Sequence, residues 1–260
     1  MTHPKARVAI LVAARDAKSV FGKIAELEAM GYPYLIVCGE RVSHPHVVYR
    51  EARGKYDALN FGLEQLVQEA EVIVLNDVDA VIYGLEDGLM NFRDPSLGMQ
   101  FSKIHVDSGP QRRFYRLMDP IRRLLPIAAS GELVFLRSTA IAQVLPMPPC
   151  KSEDTYLLFR LRELGLKVAF YEGAWITTRR TISNDEETAY KRRTVAGIYQ
   201  ALSLTRPGVL VSLFYGLLPF VAPLLYFAGP SGAAWCQGIW HGIQDYLRGD
   251  RSGWFAPIGP

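Results

Sequence analysis

Two carboxylates one residue apart, Asp77 and Asp79, stand in Asn76-Asp77-Val78-Asp79-Ala80 directly after the strand-like segment Glu71 to Leu75. At a strand end such a pair can hold a hard divalent cation, which in turn neutralises a diphosphate; the same residues also suit an ordinary acidic turn. Upstream, Gly54-Lys55-Tyr56-Asp57-Ala58-Leu59-Asn60-Phe61-Gly62-Leu63 opens a helix. That start places a lysine and free backbone amides where a phosphate can sit. A second acidic pair, Glu153-Asp154, precedes the helical pattern Tyr156, Leu157, Phe159, Leu161 and Leu164. Acids at a helix start stabilise the macrodipole, and an ionised carboxylate there is also what a general base requires. The third feature is basic: Arg112, Arg113, Arg116, Arg122 and Arg123 are interleaved with apolar residues and a single acid, Asp119. This pattern suits an interfacial helix whose cations meet lipid phosphates, or an amphipathic helix packed on a sheet, with Pro120 as a point where it breaks.

The elements that must carry these groups alternate in type. Val8 to Val12 reads as a buried strand, Ala17 to Met30 as a helix closed by Gly31, and Tyr34 to Cys38 and Val47 to Tyr49 as strands. Tyr56 to Gln68 follows as a helix, Glu71 to Leu75 as a fourth strand and Lys167 to Phe170 as a later one. Alternation of this kind predicts an α/β fold, a doubly wound, mostly parallel sheet covered on both faces, with ligands at the carboxyl ends of the strands. Composition agrees with a globular chain of 260 residues, 49% hydrophobic and 21% charged. A net charge of +3 is too small a field for a dedicated nucleic-acid binder, so no nucleic-acid partner is expected. The three cysteines have no paired spacing, which supports neither a disulfide framework nor a zinc site and points to a reducing compartment.

In order and content these pieces resemble the family-2 inverting glycosyltransferases, which have a GT-A nucleotide-sugar-binding fold and include the catalytic domains of polysaccharide synthases. The resemblance runs from about residue 7 to 200 and rests on Ala13-Ala14-Arg15-Asp16, the Gly54 to Leu63 block, Asp77-Val78-Asp79, Ser130-Gly131-Glu132-Leu133-Val134-Phe135-Leu136-Arg137, Glu153-Asp154 and Arg193. It implies that Asp77 contacts the nucleoside and Asp79 binds Mg2+ or Mn2+. It assigns Ala14, Asp16, Glu40 and Lys55 to the nucleotide and Asp154 to the catalytic base. Gly131, Glu132, Glu153 and Arg193 would line the acceptor and diphosphate side. The implied donor is a nucleotide-diphosphate sugar, with a UDP-sugar favoured, and the implied acceptor a lipid or saccharide.

Residues 207 to 260 differ from the rest: they hold four charged side chains, Asp245, Arg248, Asp250 and Arg251, and three of the four tryptophans. Val209 to Ala228 has no formal charge over the length a helix needs to cross a bilayer. Ala233 to Leu247 carries interface-seeking Trp235, Trp240 and Tyr246, and basic residues flank both ends. The expected organisation is therefore a GT-A catalytic domain over 1–206 and C-terminal membrane-associated helices over 207–260, with the catalytic domain on the cytoplasmic face and Arg112, Arg113, Arg116, Arg122 and Arg123 on the membrane. The expected activity is metal-dependent sugar transfer, with inversion, to a hydroxyl of a membrane-associated or saccharide acceptor. Two other readings stand beside it: a polyprenyl-phosphate sugar synthase, and a catalytically silent membrane-bound scaffold subunit.

Overall fold

A computed structural model describes residues 7–106, 108–178 and 180–249. The expectations that involve Asp250 and Arg251 lie outside the described residues. The chain divides into two compact units. The first comprises Met1–His105, Ser130–Pro149 and Gly165–Thr178; the second comprises Val106–Ala129, Cys150–Leu164 and Arg179–Pro260. The second unit thus takes in helical segments from the middle of the sequence together with the apolar tail.

In chain order the elements are β1 (Val8–Ala14), α1 (Ala17–Met30), β2 (Tyr34–Cys38), β3 (Val47–Tyr49), α2 (Lys55–Leu66), β4 (Val72–Asp77), β5 (Ala80–Tyr83), α3 (Leu85–Asn91), β6 (Leu97–His105) and α4 (Pro110–Leu124). They continue with β7 (Leu133–Arg137), the short α5 (Ser138–Ile141), α6 (Glu153–Glu163), β8 (Lys167–Thr178), α7 (Asn184–Leu204), α8 (Val209–Val221), a 3-10 segment (Ala222–Ala228) and α9 (Pro230–Leu247).

The first unit is built on an eight-stranded sheet in the order β3-β2-β1-β4-β7-β6-β8-β5. Strands β1 to β4 run parallel, β7 is antiparallel to both β4 and β6, and β5 is antiparallel to β8. The central strands are apolar almost throughout because the sheet is covered on both faces, which leaves no solvent side to demand alternation. From β1 the chain winds outward to β2 and β3, then returns to lay β4 on the other side of β1. That reversal is a topological switch point, and it opens a crevice at the carboxyl ends of β1 and β4. Helix α1 starts on the side chain of Asp16, which accepts from the Ser19 amide at 2.9 Å, and stops at Gly31 in the left-handed region. Two strands are longer than their apolar runs suggest: β4 continues to Asp77 and β8 to Thr178.

The second unit is helical. Helices α7 and α9 pack closely through Gly238 and Gly242 of α9, where an added Cβ would strike Lys191 and Val195 of α7. Val195, Ala222, Cys236, Ile239 and Ile243 form its apolar cluster, with Leu218 and Leu225 packed against them. Helix α4 runs unbroken through Pro120, which carries no amide hydrogen and so removes one rung of the ladder without ending the helix. By length and composition, Val209–Ala228 is one segment long and apolar enough to cross a membrane, with a mean hydropathy of 2.0. It is not one straight α-helix, since α8 gives way to 3-10 geometry after Val221, between Pro219 and Pro223.

Phe135 lies at the centre of the sheet, fully buried against Phe92, with Gly88 so close that an added Cβ would enter its ring. We expect Phe135→Ala to lower unfolding stability by about 3–5 kcal/mol. Urea denaturation checks this, and a loss near zero would show that the sheet centre collapses around the gap.

Candidate active site

The register of the sheet brings the predicted site residues of the first unit to one edge. Ala13 of β1 lies opposite Asp77 of β4, and Asn76 lies opposite Leu133, the first residue of β7. Because β7 runs the other way, its entry, Gly131-Glu132, meets the exit of β4. The Asp77 amide donates to the Glu132 carbonyl at 3.3 Å and Asn76 Nδ2 donates to the same oxygen at 2.7 Å. Asn76 is buried, so this bond fixes the β7 entry beside Asp77.

Lys55 is the first residue of α2, following Gly54, whose φ of 130° belongs to the region that favours glycine. The helix start turns Lys55 toward β4, and its Nζ lies 2.7 Å from Asp77 Oδ1. Asp79 is exposed in the two-residue turn between β4 and β5. Burial is the largest influence on Asp77 and pushes its carboxyl up to about 6; the Lys55 cation pulls it down, while Glu132 and Asp79 push it further up. Asp77 is therefore a carboxylate held among like charges, with an ammonium in contact.

The other predicted nucleotide residues gather at the same sheet edge. Ala14 ends β1, and its carbonyl accepts from the Gly39 amide at 3.0 Å, which holds the exits of β1 and β2 together. Asp16 is engaged as the α1 cap, and Glu40 Oε2 accepts from the Ala17 amide at 2.9 Å. Two of the proposed nucleotide contacts thus also serve the positive end of α1.

One positioning residue escapes a reading of the sequence. Lys23 falls on the apolar stripe of α1 with Val20, Ile24 and Leu27, and it is buried with them. Its Nζ donates to the Ala80 carbonyl at 2.5 Å and pairs with Glu26 at 2.9 Å, while Glu26 Oε1 accepts from the Ile82 amide at 3.0 Å. Burial lowers its pKa despite the Glu26 carboxylate. The pair pins the strand that begins one residue after Asp79. A lysine in an otherwise apolar stripe was the available signal.

The remaining predicted residues belong to the second unit. Glu153 and Asp154 occupy the first turn of α6, with Glu153 buried and Asp154 Oδ1 accepting from the Thr155 amide at 2.7 Å. Arg193 is exposed on α7, its guanidinium 5.6 Å from the centre of the Tyr190 ring. Its neighbours do different work. Lys191 is buried with its ammonium 3.1 Å from the centre of the Phe114 ring, and burial lowers its pKa to about 8 against the opposing pull of Glu187. Arg192 forms a two-point ion pair with Asp245, at 2.5 and 2.8 Å. On α4, Arg112, Arg113, Arg116 and Arg123 are exposed. Arg122 departs from the expected membrane-facing set: its side chain is buried and paired with Asp119 at 3.1 Å, because its helical position turns inward.

Comparison with solved structures decides the fold. Over 95% of this chain and 88% of the other, the structure matches the mannosyltransferase PcManGT from Pyrobaculum calidifontis, solved with GDP-Man and Mn2+, at a TM-score of 0.73 and 16% identity. The fold is GT-A. The glucosyl-3-phosphoglycerate synthase of M. tuberculosis matches over 76% of this chain and 81% of its own, at a TM-score of 0.50 and 15% identity. No protein-family model and no curated protein sequence matches the chain. Within the GT-A frame, the corner formed by Lys55, Asp77, Asp79 and Glu132 lies at the switch point described above.

Since Asp77 in the native state has a pKa above the ordinary carboxylate value of 3.8, its proton is held more tightly folded than unfolded. Its contribution to stability is full below pH 3.8 and is lost as pH rises to about 6. We expect Lys55→Met to move the Asp77 midpoint above 6, because the variant removes the strongest influence that lowers it. Carboxyl-carbon NMR titration reads this directly, and an unmoved midpoint would remove Lys55 as the controlling cation.

Proposed function

We propose that this protein is an inverting glycosyltransferase that moves a sugar from a nucleoside-diphosphate sugar to the hydroxyl of a membrane-associated or saccharide acceptor. The observation that carries this reading is the charged corner at the switch point of a GT-A sheet: Asp77 and Lys55 in contact, with Asp79 and Glu132 acting on the same carboxyl. The mannosyltransferase was solved with GDP-Man and Mn2+. That supports the donor class and a divalent cation here, and lends no preference to uridine.

Mg2+ or Mn2+ fits the corner by the chemistry of its donors. Carboxylate oxygens suit these hard cations, and a positive charge would relieve the crowding that raises the Asp77 pKa. Among the described residues no group of three or more His, Cys, Asp or Glu is arranged to hold a metal ion. Asp79 would therefore supply the protein's share and the donor phosphates the rest, as is usual for Mg2+ sites built on one or two carboxylates. When bound, the cation supplies charge neutralisation of the diphosphate leaving group.

The chain's own groups divide the remaining tasks. Asp77 accepts hydrogen bonds from the nucleoside, while Lys55 turns its ammonium from Asp77 toward a phosphate oxygen, aided by the free amides at the start of α2. Asn76 and Lys23 hold the strand ends on either side so that these groups need not reorganise as charge develops. Asp154 takes the proton from the acceptor hydroxyl as it attacks the face of the sugar opposite the departing diphosphate, and Arg193 offsets negative charge on that side. Membrane association through the 207–260 segment, with the catalytic groups on the cytoplasmic side, completes the reading.

Asp79→Ala should abolish Mn2+-dependent nucleotide binding while the thermal transition without metal is kept, since Asp79 is exposed and contributes nothing to the core. Unchanged metal-dependent affinity by calorimetry would take Asp79 out of the site. Asp154→Asn should bind donor as the parent does and lose transfer, by about a hundredfold or more in kcat, because an amide cannot accept the proton. Parental turnover in that variant would move the base elsewhere and favour an acceptor whose oxygen is already anionic, such as a polyprenyl phosphate.

A further inference from the structure

The second unit turns many large apolar side chains to solvent, a feature that marks interaction surfaces when they are grouped. On α8, Val211, Tyr215 and Leu218 follow a helical stripe that packs inward and continues to Ala222 at the start of the 3-10 segment, while Leu213, Leu217 and Phe220 face out. The 3-10 segment adds Leu224 and Phe227, the latter 91% exposed. Helix α4 belongs to the same unit, and the segment just after it is tied to α8 by Tyr215 Oη, which donates to the Ile127 carbonyl at 2.8 Å.

The outer surface of α4 carries two adjacent rows. Leu117, Ile121 and Leu124 recur at intervals of four and three, and all are exposed, Leu124 to 87%. Beside them Arg112, Arg116 and Arg123 fall on a second helical row, also exposed. Apolar groups flanked by cations on one helix match a bilayer surface, where hydrocarbon lies directly beneath anionic phosphate.

From these features we infer that the second unit docks in the plane of an anionic bilayer, entering a single leaflet through α4, α8 and the 3-10 segment without crossing it. This extends the reading of a membrane-held acceptor and commits to a lipid surface rather than a protein partner, because the charge on α4 has its complement in lipid phosphate. Two observations oppose a crossing by Val209–Ala228, which by length alone could make one. Its inner stripe stays packed on the cluster it shares with α7 and α9. Those helices carry the Arg192–Asp245 ion pair and exposed Gln237, His241 and Gln244, which a crossing would draw into lipid.

The test adds the full chain to preformed vesicles of phosphatidylcholine, with and without phosphatidylglycerol, and reads binding by sedimentation. Binding is expected to need the anionic lipid and to fall as salt rises. Replacing Arg112, Arg116 and Arg123 together with Gln should weaken it by about a hundredfold, since each cation near the surface contributes about fivefold. Leu213→Asp with Leu217→Asp should abolish it, and because both side chains face out the fold should survive. Phe227→Cys should be shielded from a membrane-impermeant thiol reagent enclosed in the vesicle lumen, with the parent chain, whose Cys38, Cys150 and Cys236 are buried, as the blank. Labelling from the lumen would overturn the inference in favour of a span. Equal binding to neutral vesicles would remove the arginine row from it. Absence from both vesicle types, with a dimer in solution, would make the apolar face a protein interface. Mn2+-dependent nucleotide binding, measured on the same samples, reports on the active-site reading separately.

Discussion

Asp77 is the point at which the requirements of fold and chemistry meet. As the last residue of β4 it is held by backbone pairing to β1 on one side and to the entry of β7 on the other, so it cannot move away from Glu132 or from the turn that carries Asp79. Desolvation and two neighbouring carboxylates raise its pKa, and Lys55 opposes them from the start of α2. An isolated domain gains no stability from such crowding of like charges. On the proposed reading it becomes useful when a cation and a diphosphate enter together, because the site would then present fixed charges whose cost was met on folding.

Much of the surrounding structure serves to keep that corner rigid. Asn76 uses its amide to hold the Glu132 carbonyl, and Lys23 reaches from the buried face of α1 to the Ala80 carbonyl. Both are buried polar groups with specific partners, and each immobilises a segment next to a carboxylate. The caps at the start of α1, from Asp16 and Glu40, fix the third side of the same edge.

The second unit handles charge differently. Its basic runs in sequence are uniform, but the fold assigns their members to separate tasks. Lys191 is buried over Phe114, Arg192 pairs with Asp245, Arg122 pairs with Asp119, and Arg193 remains exposed. Removing the inward-turned cations from consideration leaves a cleaner surface on α4, one row of arginines beside one row of apolar residues. The apolar tail is treated in the same way, one stripe committed to the protein and the other turned outward.

The sequence by itself determined the elements of the parallel half of the sheet. Apolar runs bounded by Gly31, Gly39 and Gly54 place α1, β2 and β3 where they are found, because in a sheet covered on both faces hydrophobicity alone marks a strand. It also marked Lys55, Asp77 and Asp79, since their spacing relative to those elements is local, and the resemblance to GT-A enzymes added Gly131 and Glu132. Tertiary structure decided the rest. Only strand order shows that β7 enters beside the exit of β4, as pairing partners about sixty residues apart leave no periodic trace. Only packing distinguishes Arg122 from Arg123, or Lys23 from an ordinary helix lysine, because composition records that a residue can be charged, whereas burial and the partners found there settle what that charge does.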